Sequence, residues 1–126
     1  MKALIVDDSL VIRSIIEKIV TPIGYETLKA SNGQEALDLL EKNAEDVELV
    51  ILDWNMPLLN GWETLSAIKK NGAYDHVCII MVSTEAEDKK IDQAIAAGAH
   101  GYISKPFEAE ELIEKIKVTL EKIKSS

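Results

Sequence analysis

The sequence predicts an α/β fold of the (βα)5 kind, a doubly wound five-stranded parallel sheet with helices on both faces. Three observations predict it. Short apolar runs and helical repeats alternate along the chain, five of each. Runs such as LVIL at 49–52 and VCIIMV at 77–82 carry no polar residue to turn toward solvent, as expected of strands covered on both faces. Finally, polar residues stand where four of the runs stop (Asp7/Asp8, Asp53, Ser83/Thr84 and Lys105). That edge is where open α/β sheets hold their ligands.

The first run, KALIV at 2–6, reads as a strand stopped by Asp7 and Asp8. Ile12, Ile15, Ile16, Ile19 and Val20 then recur at helical spacing. Asp8 or Ser9 supplies the N-cap, and Pro22 with Gly24 closes the helix. YETLKA at 25–30 alternates well enough for a second strand, and SNG at 31–33 opens a helix that buries Ala36, Leu37, Leu39 and Leu40 and ends near Asn43. The central run ends on Asp53, and Pro57, having no N–H, cannot continue a ladder. Asn60-Gly61 turns the chain into a third helix, to about Lys70, with Leu65 and Ile68 inward.

HVCIIMV at 76–82 reads as the fourth strand and ends on Ser83 and Thr84. Ile91, Ala94 and Ile95 mark the fourth helix, with Gly98 placed as its C-terminal cap. AHGYIS at 99–104 is the fifth strand, followed by Lys105 and Pro106. The last helix, from about Glu108 to Lys122, is amphipathic through Leu112, Ile113, Ile116, Leu120 and Ile123. Its acids cluster at the start and its lysines at the end, which complements the helix dipole.

Composition narrows the function. A chain of 126 residues that is 47% apolar can bury a core as one domain. Its net charge of −8 argues against a nucleic-acid surface, which leans on Lys and Arg. One cysteine, Cys78, has no internal partner and sits in an apolar run, so a buried free thiol in a reducing, cytoplasmic compartment is expected. No run approaches the ~18 apolar residues of a membrane span, and Ala3–Val6 is too short for a secretory core region.

Parallel strands place their carboxyl ends together, so the four polar strand ends should converge. Taken singly each has a bland role: Asp8 as a helix cap, Ser83 and Thr84 as another, Lys105 as a solvated cation. Jointly they make a charge-complementary site. Asp7, Asp8 and Asp53 repel one another unless a cation lies among them, and hard oxygen donors suit Mg2+. Mg2+ and Lys105 together neutralise the three acids. A carboxylate so held can act as a nucleophile toward phosphorus, with Lys105 and the Ser83 hydroxyl stabilising transferred charge.

VDDS at 6–9, DWNMP at 53–57, VST at 82–84 and KPF at 105–107 carry a resemblance across the whole chain. The sequence resembles the receiver domains of two-component response regulators, in their stand-alone chemotaxis branch. That implies a flavodoxin-like sheet in the order 2-1-3-4-5 and a single receiver over 1–126 without an output domain. It implies a phospho-accepting signalling switch rather than an enzyme, with Asp53 the acceptor from a CheA-like histidine kinase. Asp7, Asp8, Asp53 and the backbone carbonyl of Asn55 would hold Mg2+. Lys105 would pair with the phosphoryl oxygens, and the peptide to Pro106 would be cis. Ser83 would be the switch hydroxyl and Tyr102 the aromatic that turns inward behind it, while Asn55 and Glu85 would tune phosphoryl lifetime. The partners implied are a flagellar motor switch protein or another phospho-dependent protein, and a phosphatase.

Some residues depart from that pattern. Ser83 replaces a more usual threonine but keeps the hydroxyl, Asn60 replaces an acid at a turn, and Glu87 and Asp88 stand where the enteric chemotaxis regulator is basic. The output face is expected from about Ile91 to Lys117. His76 and His100 fall at strand starts, away from the acids, and should be neither ligands nor phosphodonors. Met81 reads as core, and Trp54 and Trp62 as half-buried rings flanking the acidic loop. Trp54 fluorescence should report metal binding.

Three other readings compete. A phosphorelay or phosphate-sink receiver would bind only histidine phosphotransfer partners. An Mg2+-dependent aspartyl phosphohydrolase usually needs a second acid two residues after its nucleophile, where this chain has Asn55. A flavin protein of this topology would want a Ser/Thr/Gly-rich loop after the first strand, where DDSLVIRS is acidic.

Overall fold

The computed structural model describes residues 1–54, 56, 60–84 and 88–125. The expectations placed on Asn55, Glu85 and Glu87 lie outside the described residues. The elements run β1 (Lys2–Val6), α1 (Leu10–Val20), β2 (Glu26–Ala30), α2 (Gly33–Asn43), β3 (Val47–Asp53), α3 (Gly61–Lys69), β4 (Cys78–Ser83), α4 (Asp88–Ala96), β5 (Gly101–Ser104) and α5 (Ala109–Ser125). The strands form one parallel sheet in the order β2-β1-β3-β4-β5. This is the doubly wound, flavodoxin-like order expected.

Alternation along the central strands divides the core in two. Leu4, Val6, Val50, Leu52, Ile79 and Met81 face α2, α3 and α4 through Ala36, Leu40, Leu65, Ile68 and Ala94. Ala3, Ile5, Leu49, Ile51, Ile80 and Val82 face α1 and α5 through Ile16, Ile19, Leu112 and Ile116. A strand whose two faces are both covered has no use for polar residues until it ends. Hence the chemistry of β1, β3 and β4 is confined to their last residues and the loops beyond.

Those loops turn into helices by capping. The Ser9 hydroxyl accepts from the Ile12 N–H at 3.3 Å and the Asn32 side chain from the Glu35 N–H at 2.9 Å. At α3 the cap is reciprocal: Asn60 Oδ1 accepts from the Glu63 N–H (2.9 Å) and the Glu63 carboxylate from the Asn60 N–H (3.2 Å). Asn60 is thus the turn residue its sequence position suggested. Gly61 is forced by proximity, since a Cβ there would sit 2.7 Å from the Trp54 Cα. Gly98, at φ +110°, ends α4 as expected, and the Ala99 N–H reaches back to the Ala94 carbonyl at 3.0 Å.

Several boundaries differ from expectation for local reasons. β4 starts at Cys78 because residues 72–74 wind into a 3-10 turn, and the Val77 N–H is spent on the Tyr74 carbonyl. β5 starts at Gly101 because Ala99 closes α4, and α5 runs on to Ser125. β2 is an edge strand and shows partial burial rather than alternation. Two isoleucines assigned to buried helix faces are open: Ile15 is 43% and Ile95 47% exposed. The apolar stripe on each of those helices is narrower than the run of apolar residues suggests. Trp62, expected half-buried, is on the exposed side at 38%. Among the described residues no helix is long and apolar enough to cross a membrane.

Candidate functional site

The site is built by the sheet order. β1 and β3 are neighbours with Val6 opposite Leu52, so the next residue of each, Asp7 and Asp53, emerge side by side. β4 lies next to β3 with Val82 opposite Asp53, placing Ser83 one residue beyond. β5 closes the group: Ser104 pairs with Ser83, and Lys105 comes directly after it. The chain winds from β1 outward to β2 and then reverses through β3. The crevice at that reversal is where a doubly wound sheet binds ligands.

Asp7 and Asp53 are buried and Asp8 is exposed, and one carboxylate oxygen from each lies within 4.8 Å of the others. Lys105 reaches into the cluster. Its Nζ donates to Asp7 Oδ2 at 2.7 Å and lies 3.3 Å from Asp53 Oδ1. Burial of Lys105 disfavours its charge, but the Asp7 hydrogen bond and the charges of Asp53 and Asp7 outweigh burial and raise its pKa above the ordinary 10.5. Lys105 is therefore a fixed cation at any physiological pH. The peptide bond from Lys105 to Pro106 is cis, as the resemblance implied.

Backbone contacts hold each member in place. Asp7 Oδ1 accepts from the Ser9 N–H at 2.9 Å, and the Asp7 N–H donates to the Ala30 carbonyl at 3.1 Å. The Lys105 N–H donates to the Ser83 carbonyl at 2.7 Å, tying the β5 exit to the end of β4. Ser83 is fully buried and Thr84 exposed. One ammonium among three carboxylates leaves a net negative pocket of hard oxygen donors. That donor set fits Mg2+, which binds few protein groups and retains waters.

Of the residues singled out in the sequence, the structure brings together Asp7, Asp8, Asp53 and Lys105, with Ser83 beside them on β4. Tyr102 lies one strand further, 7% exposed, so its ring is packed inward. Met81 is core and Cys78 is a buried free thiol. His76 and His100 lie away from the acids and bond to backbone, His76 Nε2 with the Ala44 carbonyl (2.8 Å) and His100 Nδ1 with the Ile79 N–H (3.0 Å).

Two features escaped sequence reasoning. The Arg13 guanidinium donates to the Asp7 carbonyl at 2.6 Å, bracing the acidic loop from the first turn of α1. The signal was a cation where a helix N-terminus ordinarily prefers acids. Trp54 also packs against Trp62, with centroids 5.8 Å apart, and Tyr102, at 6.5 Å. No spacing rule foretells a contact between rings on the β3 exit, α3 and β5.

Residues 3–117 match the response regulator receiver domain family. The chemotaxis protein CheY homolog of Campylobacter jejuni is 44% identical over 121 residues, covering 95% of this chain and 92% of that protein. Chemotaxis protein CheY1 of Helicobacter pylori is 40% identical over 121 residues, covering 95% and 97%. Among solved structures, Vibrio cholerae CheY4 aligns with a TM-score of 0.86 at 35% identity, over 94% of this chain and 97% of that one. A Borrelia burgdorferi structure, the complex of CheX and CheY with BeF3 and Mg2+, aligns with a TM-score of 0.89 at 25% identity, over 95% and 89%.

Proposed function

We propose that this chain, which belongs to the response regulator receiver domain family, takes a phosphoryl group onto Asp53 from a histidine kinase. It is a CheY-like receiver of the chemotaxis kind, a signalling switch. The observation that carries the acceptor assignment is Lys105, whose ammonium bridges buried Asp7 and Asp53 at 2.7 and 3.3 Å.

An Asp53 carboxylate oxygen attacks the phosphorus of a phosphohistidine. The new O–P bond forms as the P–N bond breaks, and the departing imidazole takes up a proton. Asp53 is suited to this because it is held at a strand end and screened by Lys105, so approach of an anionic phosphoryl group is not prohibitive. Lys105 then has a phosphoryl oxygen to pair with, and the Ser83 hydroxyl has a new acceptor nearby. Asp7, Asp8 and Asp53 would hold Mg2+, with the Asn55 backbone carbonyl proposed as a further donor, and the ion would supply further charge neutralisation. Ser83 and Tyr102 carry the change to the surface from about Ile91 to Lys117, and Asn55 and Glu85 set how long it lasts.

The partners proposed are a CheA-like kinase, a flagellar motor switch protein that binds the phosphorylated form, and a phosphatase, all in the cytoplasm. The Borrelia burgdorferi complex of CheX with CheY supports a dedicated protein partner. The chain is proposed to act as a single receiver unit.

Intact mass after incubation with a small-molecule phosphodonor tests the chemistry. One phosphoryl adduct is expected, dependent on Mg2+ and missing from Asp53→Asn. A folded wild-type protein that takes no adduct under any condition would sink the assignment.

A further inference from the structure

The ring contacts around Trp54 are not explained by the chemistry of the acids. Trp54 is the next residue after Asp53, and both its backbone polar atoms are tied down. Its N–H donates to the Val82 carbonyl on β4 at 3.0 Å, and its own carbonyl accepts from the Gly61 N–H on α3 at 2.9 Å. The indole is thus a side chain on an anchored base. Three other elements lean on it. Trp62 of α3 lies 5.8 Å away at an interplanar angle of 51°, and Tyr102 of β5 lies 6.5 Å away at 57°. Lys90 of α4 holds its ammonium 5.8 Å from the ring centre. These separations lie where tilted ring pairs and cation–ring contacts attract.

We propose that Trp54 is the positioning residue for Tyr102, holding that ring in its buried place, linking it to α4 through Lys90 and transmitting to both a change made at Asp53. Trp54 is the covalent neighbour of Asp53, so added charge and new acceptor oxygens on Asp53 arise one residue from the anchor. Ser83 reaches β5 by its backbone, since its carbonyl takes the Lys105 N–H. Trp54 reaches β5 by its ring. Removal of the indole leaves Tyr102 without the aromatic wall beside it and Lys90 without its ring. The transmission half of this inference rests on the reading of Asp53 as phospho-acceptor; the holding half does not.

The test uses full-length protein labelled with 3-fluorotyrosine. The chain has three tyrosines, Tyr25, Tyr74 and Tyr102, so fluorine spectra are simple and Tyr102→Phe assigns the resonance of interest. In unphosphorylated Trp54→Leu, the Tyr102 resonance should move and its H2O/D2O isotope shift should grow, while the Tyr25 and Tyr74 resonances stay in place and certify the fold. After phosphorylation, verified by intact mass on the same sample, most of the wild-type displacement of Tyr102 should be lost. Trp54→Phe, which keeps a ring face, should restore much of it.

A folded Trp54→Leu whose Tyr102 position, isotope shift and phosphorylation response equal wild type would overturn the inference. If the leucine variant does not fold, Trp62→Leu on the exposed flanking ring asks the same question. A smaller displacement of Tyr102 in the same direction supports the inference, and none overturns it. Failure of wild type to take any adduct would instead sink the acceptor reading. The isotope shift of unmodified Trp54→Leu would still decide whether Trp54 positions Tyr102.

Discussion

The two ends of the sheet both carry titratable side chains, and they use them in opposite ways. At the amino end of the strands each is answered separately by nearby structure. The Tyr25 hydroxyl donates to Glu48 at 3.3 Å, His100 Nδ1 accepts from the Ile79 N–H, and His76 pairs with the Ala44 carbonyl. Burial and then the Glu48 charge push the Cys78 thiol up to about 12, so it stays protonated and unreactive. At the carboxyl end, Asp7, Asp8, Asp53 and Lys105 share one small volume, and no assignment of single partners neutralises them. Titratable residues become a site when they converge with charge left over. Those satisfied one at a time are structure.

That contrast can be broken most sharply at Lys105. Lys105→Met leaves two buried carboxylates facing each other without their ammonium, and unpairing a buried charge costs about 3 kcal/mol. Urea unfolding without divalent cations should show that loss. A variant as stable as wild type would mean that Asp7 and Asp53 are solvated enough to need no partner.

A smaller effect is expected from His100, at the other end. Its neutral ring is required, because Nδ1 accepts the Ile79 N–H at 3.0 Å; the His100 backbone N–H separately donates to the Ile79 carbonyl at 2.8 Å. Burial, and then the Lys69 charge, lower its pKa below the ordinary 6.5. The unfolded chain therefore takes up a proton at a higher pH than the folded one. Stability from this group is full above 6.5, erodes below it, and is gone once the pH has fallen through the depressed folded value. Losing the acceptor for a buried N–H costs on the order of 1 kcal/mol. Unfolding midpoints from pH 7 to 5 should thus fall more steeply for wild type than for His100→Asn, whose amide oxygen accepts without titrating. Parallel curves would show that the ring is not held neutral by this bond.

The same contrast explains what was legible in the sequence. Apolar runs, the cap at Ser9, the Asn60-Gly61 turn and the glycine at 98 are local signals, and they carried the fold class and nearly every element. The order of strands is not local; periodicity gave parallel strands and alternating helices, and resemblance implied which strand lies beside which. The acid cluster was legible because parallel strands align their carboxyl ends, which turns four separate positions into one place. Arg13 was not, because the reach of a guanidinium back over a turn is set by rotamers rather than period. Nor was the Trp62–Trp54–Tyr102 contact, which joins residues from three parts of the chain. Ile15 and Ile95 were misplaced because apolar identity at helical spacing says which face is permitted to be buried, while the width of the neighbouring element decides how much of it is.

The smallest effect belongs to Tyr25, and it is the strictest check on treating the amino edge as structure alone. Burial and then Glu48 push the Tyr25 hydroxyl up to about 12, so at neutral pH it stays protonated and can donate to Glu48. Tyr25→Phe deletes that donor but keeps the ring in its place at the foot of β2. Glu48 is only half-buried and can turn to water, so the change should cost about 0.5 kcal/mol. The adduct formed with a phosphodonor and Mg2+ should not change in yield or rate, since Tyr25 and the acids lie at opposite ends of the sheet. A slower or incomplete adduct in folded Tyr25→Phe would mean that the strands transmit between their two ends. The site would then extend through the sheet rather than lie along its edge.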